Sequence, residues 1–345
     1  MKKSIFKSFA LTLLLLVLLC AYSGDKFPSA KFVHLSRAEY PDDFVWEIKD
    51  AGEQFLDIRS RENSLNYYRI NYLISSPPPI KWTGAHNTCD PGTINTELQR
   101  AILSRINYFR AMAGVPDDVV FSEESNLKAQ AAAQLMSINK DLDHTPPETW
   151  TCYSDIAFQG AASSDLYLRM NGLEAITGYI RDPGDKNYDV GHRRWILYPQ
   201  TRFMGTGEIP ATESYPASNA LLVFDDYMWT PRPDTRDGFV AWPPPGYVPY
   251  PVVFTRWSFS YPGADFSGAT VRMYREGTDL TITQAPIKDG YGENTIVWQL
   301  TGMDSGVSWP IPSQDTKYEI SIENVIIDSQ VQDFSYEVII FDPGM

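Results

Sequence analysis

A proline-dense segment at residues 231–251 most constrains the fold, because the hydrophobic pattern differs on its two sides. From residue 95 to about residue 200, apolar side chains recur at helical spacing. From residue 252 onward, apolar and polar side chains alternate, as in Tyr318-x-Ile320-x-Ile322. The segment itself is typical of a stiff, extended connector. The sequence therefore predicts an α+β domain at 95–230 and an all-β sandwich of immunoglobulin-like type at 252–345.

Three helices and three strands are predicted within the α+β domain. The first helix begins near residue 95 and ends at Gly114, and the second begins at Ser122, which can cap its first turn. The third covers residues 173–181 and ends before Pro183. Strands are predicted at 195–197, 203–209 and 220–224. Residues 24–94 are predicted to be an N-terminal extension, with strands at 44–48 and 67–73.

The first 23 residues are predicted to be a signal peptide. Three lysines precede a mostly apolar run at residues 9–21, which is too short to cross a bilayer of roughly 30 Å as a helix. Cys20 leaves an alternative open, because residues 17–20 resemble a lipoprotein box. No later stretch is apolar over the roughly 18 residues that a membrane span requires. We therefore expect a secreted, extracellular protein, either free or lipid-anchored through Cys20.

The net charge limits the classes of partner that the protein can bind, and the number of cysteines bears on whether a disulfide forms. Three of the 29 basic residues lie in the leader. Without the leader, 26 basic residues stand against 43 acidic ones, and the net charge is −17. This charge repels a phosphate backbone and argues against nucleic acid as a partner. Cys89 and Cys152 remain as a pair, and export favours a disulfide between them over two buried thiols. The oligomeric state does not follow from the sequence.

Two of the four histidines, His144 and His192, are candidate site residues, because each follows a stretch of predicted helix. Histidine is the side chain that most readily binds a metal or transfers a proton near neutral pH. Several short segments surround them in a fixed order: Arg105-Ile106-Asn107-Tyr108-Phe109-Arg110, Leu127-x-Ala129-Gln130-x-Ala132, His144, residues 175–182, Gly191-His192-Arg193-Arg194-Trp195 and Phe203-Met204-Gly205-Thr206-Gly207. In order and spacing they resemble the CAP (SCP-like) superfamily, of the kind that bacteria export, over about residues 95–228.

The resemblance implies an α-β-α sandwich with a cleft lined by two histidines and two acids, often around a divalent metal. His144 and His192 match the two histidines and are the expected metal ligands, with zinc as the expected ion. Asp182 matches the second acid. The family's Gly-Glu-Asn motif, which carries the first acid, is not visible at its expected place. The residues that could stand there instead are Ser154, Asp155 and Gln159.

The preferred function is binding, by a non-enzymatic cleft that takes a divalent metal, a small lipid-like ligand or a cell-wall or cell-surface component. No Gly-x-Ser-x-Gly elbow is present, and no catalytic residue is assigned. Two alternatives stay open. A metal-dependent hydrolase, such as a peptidase, would use zinc on His144 and His192 to activate water. A purely adhesive protein would make its contacts through the β-sandwich.

Overall fold

The structure, a computed structural model, describes residues 55–73 and 77–345. The predicted signal peptide with Cys20 and the predicted strand at 44–48 lie outside these ranges. The described residues form helices and three β-sheets, so the prediction of an α+β chain is confirmed. No helix among them is both long enough and apolar enough to span a membrane.

The described residues contain six α-helices. They are α1 (Arg61–Tyr67), α2 (Thr96–Ala113), α3 (Glu123–Asn139), α4 (Asp155–Ala162), α5 (Gly172–Arg181) and α6 (Gly191–Ile196). A π-helical turn, Tyr68–Tyr72, continues α1, so the predicted strand at 67–73 is wrong. The helical turn places Tyr68 and Tyr72 at i and i+4, where their rings stack, and Tyr67 stacks on Tyr108 of α2.

The helix ends of the first domain lie where their capping residues predict. Gly114 follows α2 in the left-handed conformation, with a φ of 72°, which glycine adopts without strain. Ser122 precedes α3, and its hydroxyl accepts a hydrogen bond from the Ser125 N–H. The predicted strand at 195–197 is wrong, because α6 extends to Ile196. An apolar run this short does not distinguish a strand from a helical turn.

Four strands form the sheet of this domain, in the order β1-β3-β4-β2. They are β1 (Val120–Phe121), β2 (Ser164–Leu168), β3 (Phe203–Ile209) and β4 (Ser218–Leu222). Helix α3 covers one face so closely that a Cβ at Gly207 would overlap the main chain of Ala129. Helix α5 covers the other face, where the Tyr179 hydroxyl lies 3.0 Å from the Asp165 carbonyl oxygen. Residues 96–222 therefore form three layers, helix on sheet on helix, and we call them the three-layer domain.

Side-chain amides from α3 complete the free edge of β3. Strand β1 pairs with only the first two residues of β3. Beyond them, the Asn126 amide oxygen accepts the Thr206 N–H, and the Gln130 amide bonds to both the N–H and the carbonyl of Glu208. These bonds satisfy main-chain groups that would otherwise lie unpaired between helix and sheet.

The C-terminal part of the chain folds as two facing sheets. Its strands are β5 (Val240–Trp242), β6 (Gly246–Pro249), β7 (Trp257–Tyr261), β8 (Thr270–Arg275), β9 (Thr278–Asp279), β10 (Ile282–Gln284), β11 (Asn294–Leu300), β12 (Thr316–Ile327) and β13 (Gln330–Phe341). One sheet has the order β10-β11-β7-β5 and the other β6-β13-β12-β8-β9. The Phe259 ring of β7 packs on Phe334 and Tyr336 of β13, which brings the sheets face to face. We call residues 240–341 the β domain.

The proline-dense segment contributes a strand to each of these sheets. Strand β5 pairs with β7, and β6 pairs with β13. Trp242 and Val248 are fully buried. The second half of the predicted connector is therefore part of the β-domain core, because the apolar residues between its prolines gain more from burial than from remaining an exposed spacer.

Candidate functional site

Two cavities of about 320 and 450 Å³ meet at the C-terminal end of α5. His144, Lys186, Asn187 and His192 line both of them. The structure thus brings together the two histidines that were predicted to share a site. We call the joint hollow the cleft.

Asp182 positions His192. It follows α5 in the left-handed conformation, with a φ of 51°, which Asp tolerates better than most residues. One carboxylate oxygen accepts the His192 Nδ1–H at 2.7 Å, and the other accepts the His192 main-chain N–H at 3.0 Å. Because Asp182 is buried and both its oxygens are occupied, it orients the imidazole from behind and leaves Nε2 as the free ring nitrogen.

The same contact sets the charge of His192. Burial by itself would lower the pKa of this imidazole, but the charge of Asp182 and the hydrogen bond to it outweigh burial and raise the pKa to about 9. His192 is therefore an imidazolium near neutral pH, held as an ion pair with Asp182.

His144 lies on the exposed loop between α3 and α4. Its Nδ1 bonds to the Ala161 carbonyl at 3.0 Å, so Nε2 is again the free ring nitrogen. A disulfide joins Cys89 to Cys152 on this loop, which confirms the predicted pairing. The loop that carries His144 is therefore covalently tied to the segment that precedes α2.

Asp182, the predicted second acid, lines the larger cavity, but the candidates for the first acid do not line the cleft. Asp155 begins α4 as an exposed residue, and Ser154 caps that helix by accepting the Ala157 N–H. Neither these two residues nor Gln159 lines either cavity. Ser154 is used locally as the helix cap, and Asp155 is exposed in the first turn of α4.

Asp165 of β2 is the acid that sequence reasoning missed. It lines the smaller cavity, is buried, and its Oδ2 has no hydrogen-bond partner among the described residues. Burial raises the pKa of this carboxyl to about 8, while the charge of His192 lowers it and that of Asp182 raises it. The sequence around it, Ser164-Asp165-Leu166-Tyr167-Leu168, shows no regular alternation of polar and apolar residues, so it does not predict a strand.

A buried polar network lies beneath the cleft, between the sheet and α5. The Tyr179 hydroxyl donates to the Asn219 amide oxygen at 2.6 Å, and the Asn219 amide donates to the Glu208 carboxylate at 2.6 Å. Burial raises the pKa of Glu208 to about 7, although hydrogen bonds from Gly172, Thr206 and Asn219 lower it. The Tyr179 ring also lies against the His192 ring, with centroids 5.3 Å apart. Two carboxyls of raised pKa thus lie below the histidines.

A Gly-Glu-Asn tripeptide does occur in the chain, but in the β domain, at residues 292–294. Its Glu293 forms an ion pair with Arg232 and lines neither cavity of the cleft. It therefore does not replace the missing family acid.

Both cavities combine an apolar wall with the polar centre. The apolar side chains that line the smaller cavity are Trp195, Val223 and Phe224. Those that line the larger cavity are Leu142, Leu166, Tyr167, Leu168 and Pro183. Two residues of the β domain, Lys288 and Tyr291, also line the smaller cavity. The cleft therefore offers hydrocarbon surface on both sides of the histidine pair.

The residues present do not form a complete metal-binding set. Within residues 55–73 and 77–345, no group of three or more His, Cys, Asp or Glu side chains is arranged to hold a metal ion. Zinc sites in proteins use three or four protein ligands. The cleft offers the two Nε2 atoms of His144 and His192, and Asp182 acts behind His192 as an outer partner.

Comparison with known proteins identifies the first domain. Residues 103–215 match the family model for CAP, the cysteine-rich secretory protein family. No curated protein matches the chain. Among solved structures, PcoC, a methionine-rich copper resistance protein from Escherichia coli, matches with a TM-score of 0.22 and 13% identity over 29% of this chain and 92% of that chain, which carries no argument. The segment with the family match contains His144, His192 and strands β1 to β3, and the three-layer domain of this chain is therefore a CAP domain.

Proposed function

We propose that the protein is an exported, non-enzymatic binding module whose cleft takes a small amphipathic molecule. The observation that carries the proposal is that His144 and His192 lie between two apolar walls where the cavities meet. Volumes of about 320 and 450 Å³ lie within the range of small-molecule sites, which are mostly apolar with a few polar groups. An apolar chain would occupy a wall while its polar end meets the histidines.

Three further elements complete the proposal. The location outside the cell is supported by the leader pattern and by the disulfide. The β domain, taken as an immunoglobulin-like sandwich, would anchor the module or contact a cell-surface component. Zinc could occupy the two imidazole Nε2 atoms if it displaced the proton of His192 and if the bound molecule supplied the remaining ligands.

A second candidate function rests on Asp165. A buried carboxyl of raised pKa beside an imidazolium is a typical arrangement for proton transfer. In a hydrolase, Asp165 would hold the proton that a leaving group requires. Release of peptide from an unstructured protein substrate, lost in Asp165→Asn, would favour this candidate over binding alone.

The binding proposal is tested with phenylnaphthylamine, a neutral apolar dye that fluoresces when it leaves water. We expect saturable binding to the wild type and at least about tenfold weaker binding, or about 1.4 kcal/mol, in Trp195→Ala, which removes part of an apolar wall. Trp229→Ala is the matched control, because Trp229 is 85% exposed and lines neither cavity. Equal Kd values in the wild type and Trp195→Ala would refute the proposal.

The part of the proposal that concerns zinc has its own test. Calorimetric titration of the wild type with zinc should give heat that His144→Ala removes, because one of two imidazole ligands is lost. Absence of heat in both proteins would remove zinc from the proposal and leave the dye result untouched.

A further inference from the structure

We infer that the loop at residues 288–293 of the β domain is a ligand-selecting wall of the cleft, and that its Lys288 selects an amphipathic molecule with an anionic group. The inference rests on the proposed function, because it assigns the ligand class of the same cleft. It adds that the CAP domain does not form this site alone.

Helix α6 holds the loop by both ends. The guanidinium of Arg194 donates to the Lys288 carbonyl at 2.8 Å and to the Glu293 carbonyl at 3.0 Å. Arg194 is buried and lies two positions after His192 on the same helix. The loop and the His192 imidazole are therefore held by one rigid element.

Two side chains of the loop face the cleft. The Tyr291 ring packs over Gly191 at the start of α6, where a Cβ would lie 3.7 Å from the ring. The Lys288 ammonium lies 4.5 Å from the centre of that ring and 3.1 Å from the Asp189 carboxylate. The ammonium is thus held in place at the cavity wall between a ring and a carboxylate.

The β domain also holds a second segment of the cleft, at residues 182–187. Arg256, which precedes β7, donates to the carbonyls of Asp182, Gly184 and Asn187. This segment carries Asn187 and the exposed Lys186, both of which line the two cavities. Both lysines of the cleft therefore lie on segments that contacts between the two domains fix in place.

Two lysines line the cleft although the chain as a whole is acidic, and of the carboxylates that line it only Asp143, whose oxygen accepts the Thr145 N–H, is not buried. The Lys288 side chain is 39% exposed, whereas that of its partner Asp189 is 6% exposed. Lys186 is exposed, while Asp165 and Asp182 are buried. Cations at the surface and carboxylates beneath them suit a carboxylate, sulfonate or phosphate group on the ligand.

The test compares phenylnaphthylamine with anilinonaphthalene sulfonate, which adds a sulfonate to the same apolar body. In Lys288→Gln we expect about tenfold weaker binding of the sulfonate and unchanged binding of the neutral dye. Lys317→Gln is the matched control, since Lys317 is also in the β domain, is 38% exposed and is paired with carboxylates. Equal sulfonate affinity in the two variants would overturn the inference.

A double variant distinguishes two explanations for weaker sulfonate binding in Lys288→Gln: loss of a direct contact between the ammonium and the ligand, and repulsion by the unpaired Asp189. Lys288→Gln with Asp189→Asn removes both charges, so sulfonate binding should stay weak if the ammonium contacts the ligand. Full recovery would show that repulsion by Asp189 caused the loss and would overturn the inference. If neither dye binds the wild type, the proposed function fails and the inference fails with it. If the neutral dye binds normally and Lys288→Gln does not change the affinity for the sulfonate, the inference fails and the proposed function stands.

Discussion

The two faces of the CAP sheet are built in opposite ways. On the face under α3, Gly205 and Gly207 let the helix backbone approach the strand directly, and the contact is filled by small and apolar side chains. On the face under α5, the intervening residues Thr206 and Glu208 join Asn219 in a buried polar network. The alternation of side chains along β3 places these two environments on opposite sides of one strand.

This difference separates stability from function within one domain. Close packing of glycine and alanine stabilises the α3 face, with few titratable groups to respond to pH. Buried carboxyls reduce stability on the α5 face, and that is the face on which the cleft opens. Local departures from good packing rules are expected where a site requires them.

The largest expected effect concerns the disulfide on the α3 side. Replacing Cys89 and Cys152 with alanine should lower the free energy of unfolding by about 4 kcal/mol, because the bond closes a loop with a sequence separation of 63 residues. Urea denaturation measures this loss. The pH dependence of stability should stay as in the wild type, since the α5 face is unchanged; a loss below about 1 kcal/mol would contradict the expectation.

Gly207→Ala should be the next most damaging change, at about 3 kcal/mol, because the added Cβ would overlap main-chain atoms of α3 that cannot rotate away. Gly268→Ala is the matched control, because nothing lies within 4 Å of a Cβ at that position. Thermal unfolding of the two variants compares them. Similar melting temperatures for both would show that α3 does not pack as closely as described.

The α5 face should make stability depend on pH. Asp165 and Glu208 have raised pKa values of about 8 and about 7, so the folded chain holds protons that the unfolded chain releases above about pH 4. Stability is therefore greatest in acid and falls as the pH rises towards these values. From about pH 5 to about pH 6.5 we expect a loss of about 2 kcal/mol from Asp165 alone.

Urea denaturation at the two pH values measures this slope, and Asp165→Asn should reduce it. His192, with its raised pKa, contributes in the same direction, but only above about pH 6.5, where the unfolded imidazole loses its proton. An unaltered slope in Asp165→Asn would mean that this carboxyl is already ionised in the folded chain.

The smallest expected effect is that of Tyr179→Phe, about 1 kcal/mol. It removes a hydroxyl that donates to the Asn219 amide oxygen and leaves that buried acceptor without this partner. Tyr108→Phe is the control, because Tyr108 is equally buried but its hydroxyl has no hydrogen-bond partner among the described residues. Chemical denaturation should show no loss for Tyr108→Phe, and equal losses in both would argue against the network.

Much of the CAP domain was predictable from local chemistry. Ser122 and Gly114 mark helix ends because a hydroxyl cap and a left-handed glycine act within one turn. The disulfide followed from the two cysteines that remain after the leader. The pairing of His144 with His192 came from the order of short segments, and the structure places both in the cleft.

Other features depended on contacts that no local pattern contains. Asp165 has its raised pKa because the fold buries it and places Asp182 nearby, although the charge of His192 lowers the pKa, whereas Asp155 is exposed in the first turn of α4. The second half of the proline-dense segment became two strands because facing sheets bury it. Lys288 reaches the cleft because Arg194 holds its loop. Local sequence determines which turns and helices form, but burial and charge at a site are sums over neighbours distant in the chain, and those are set when the domains pack.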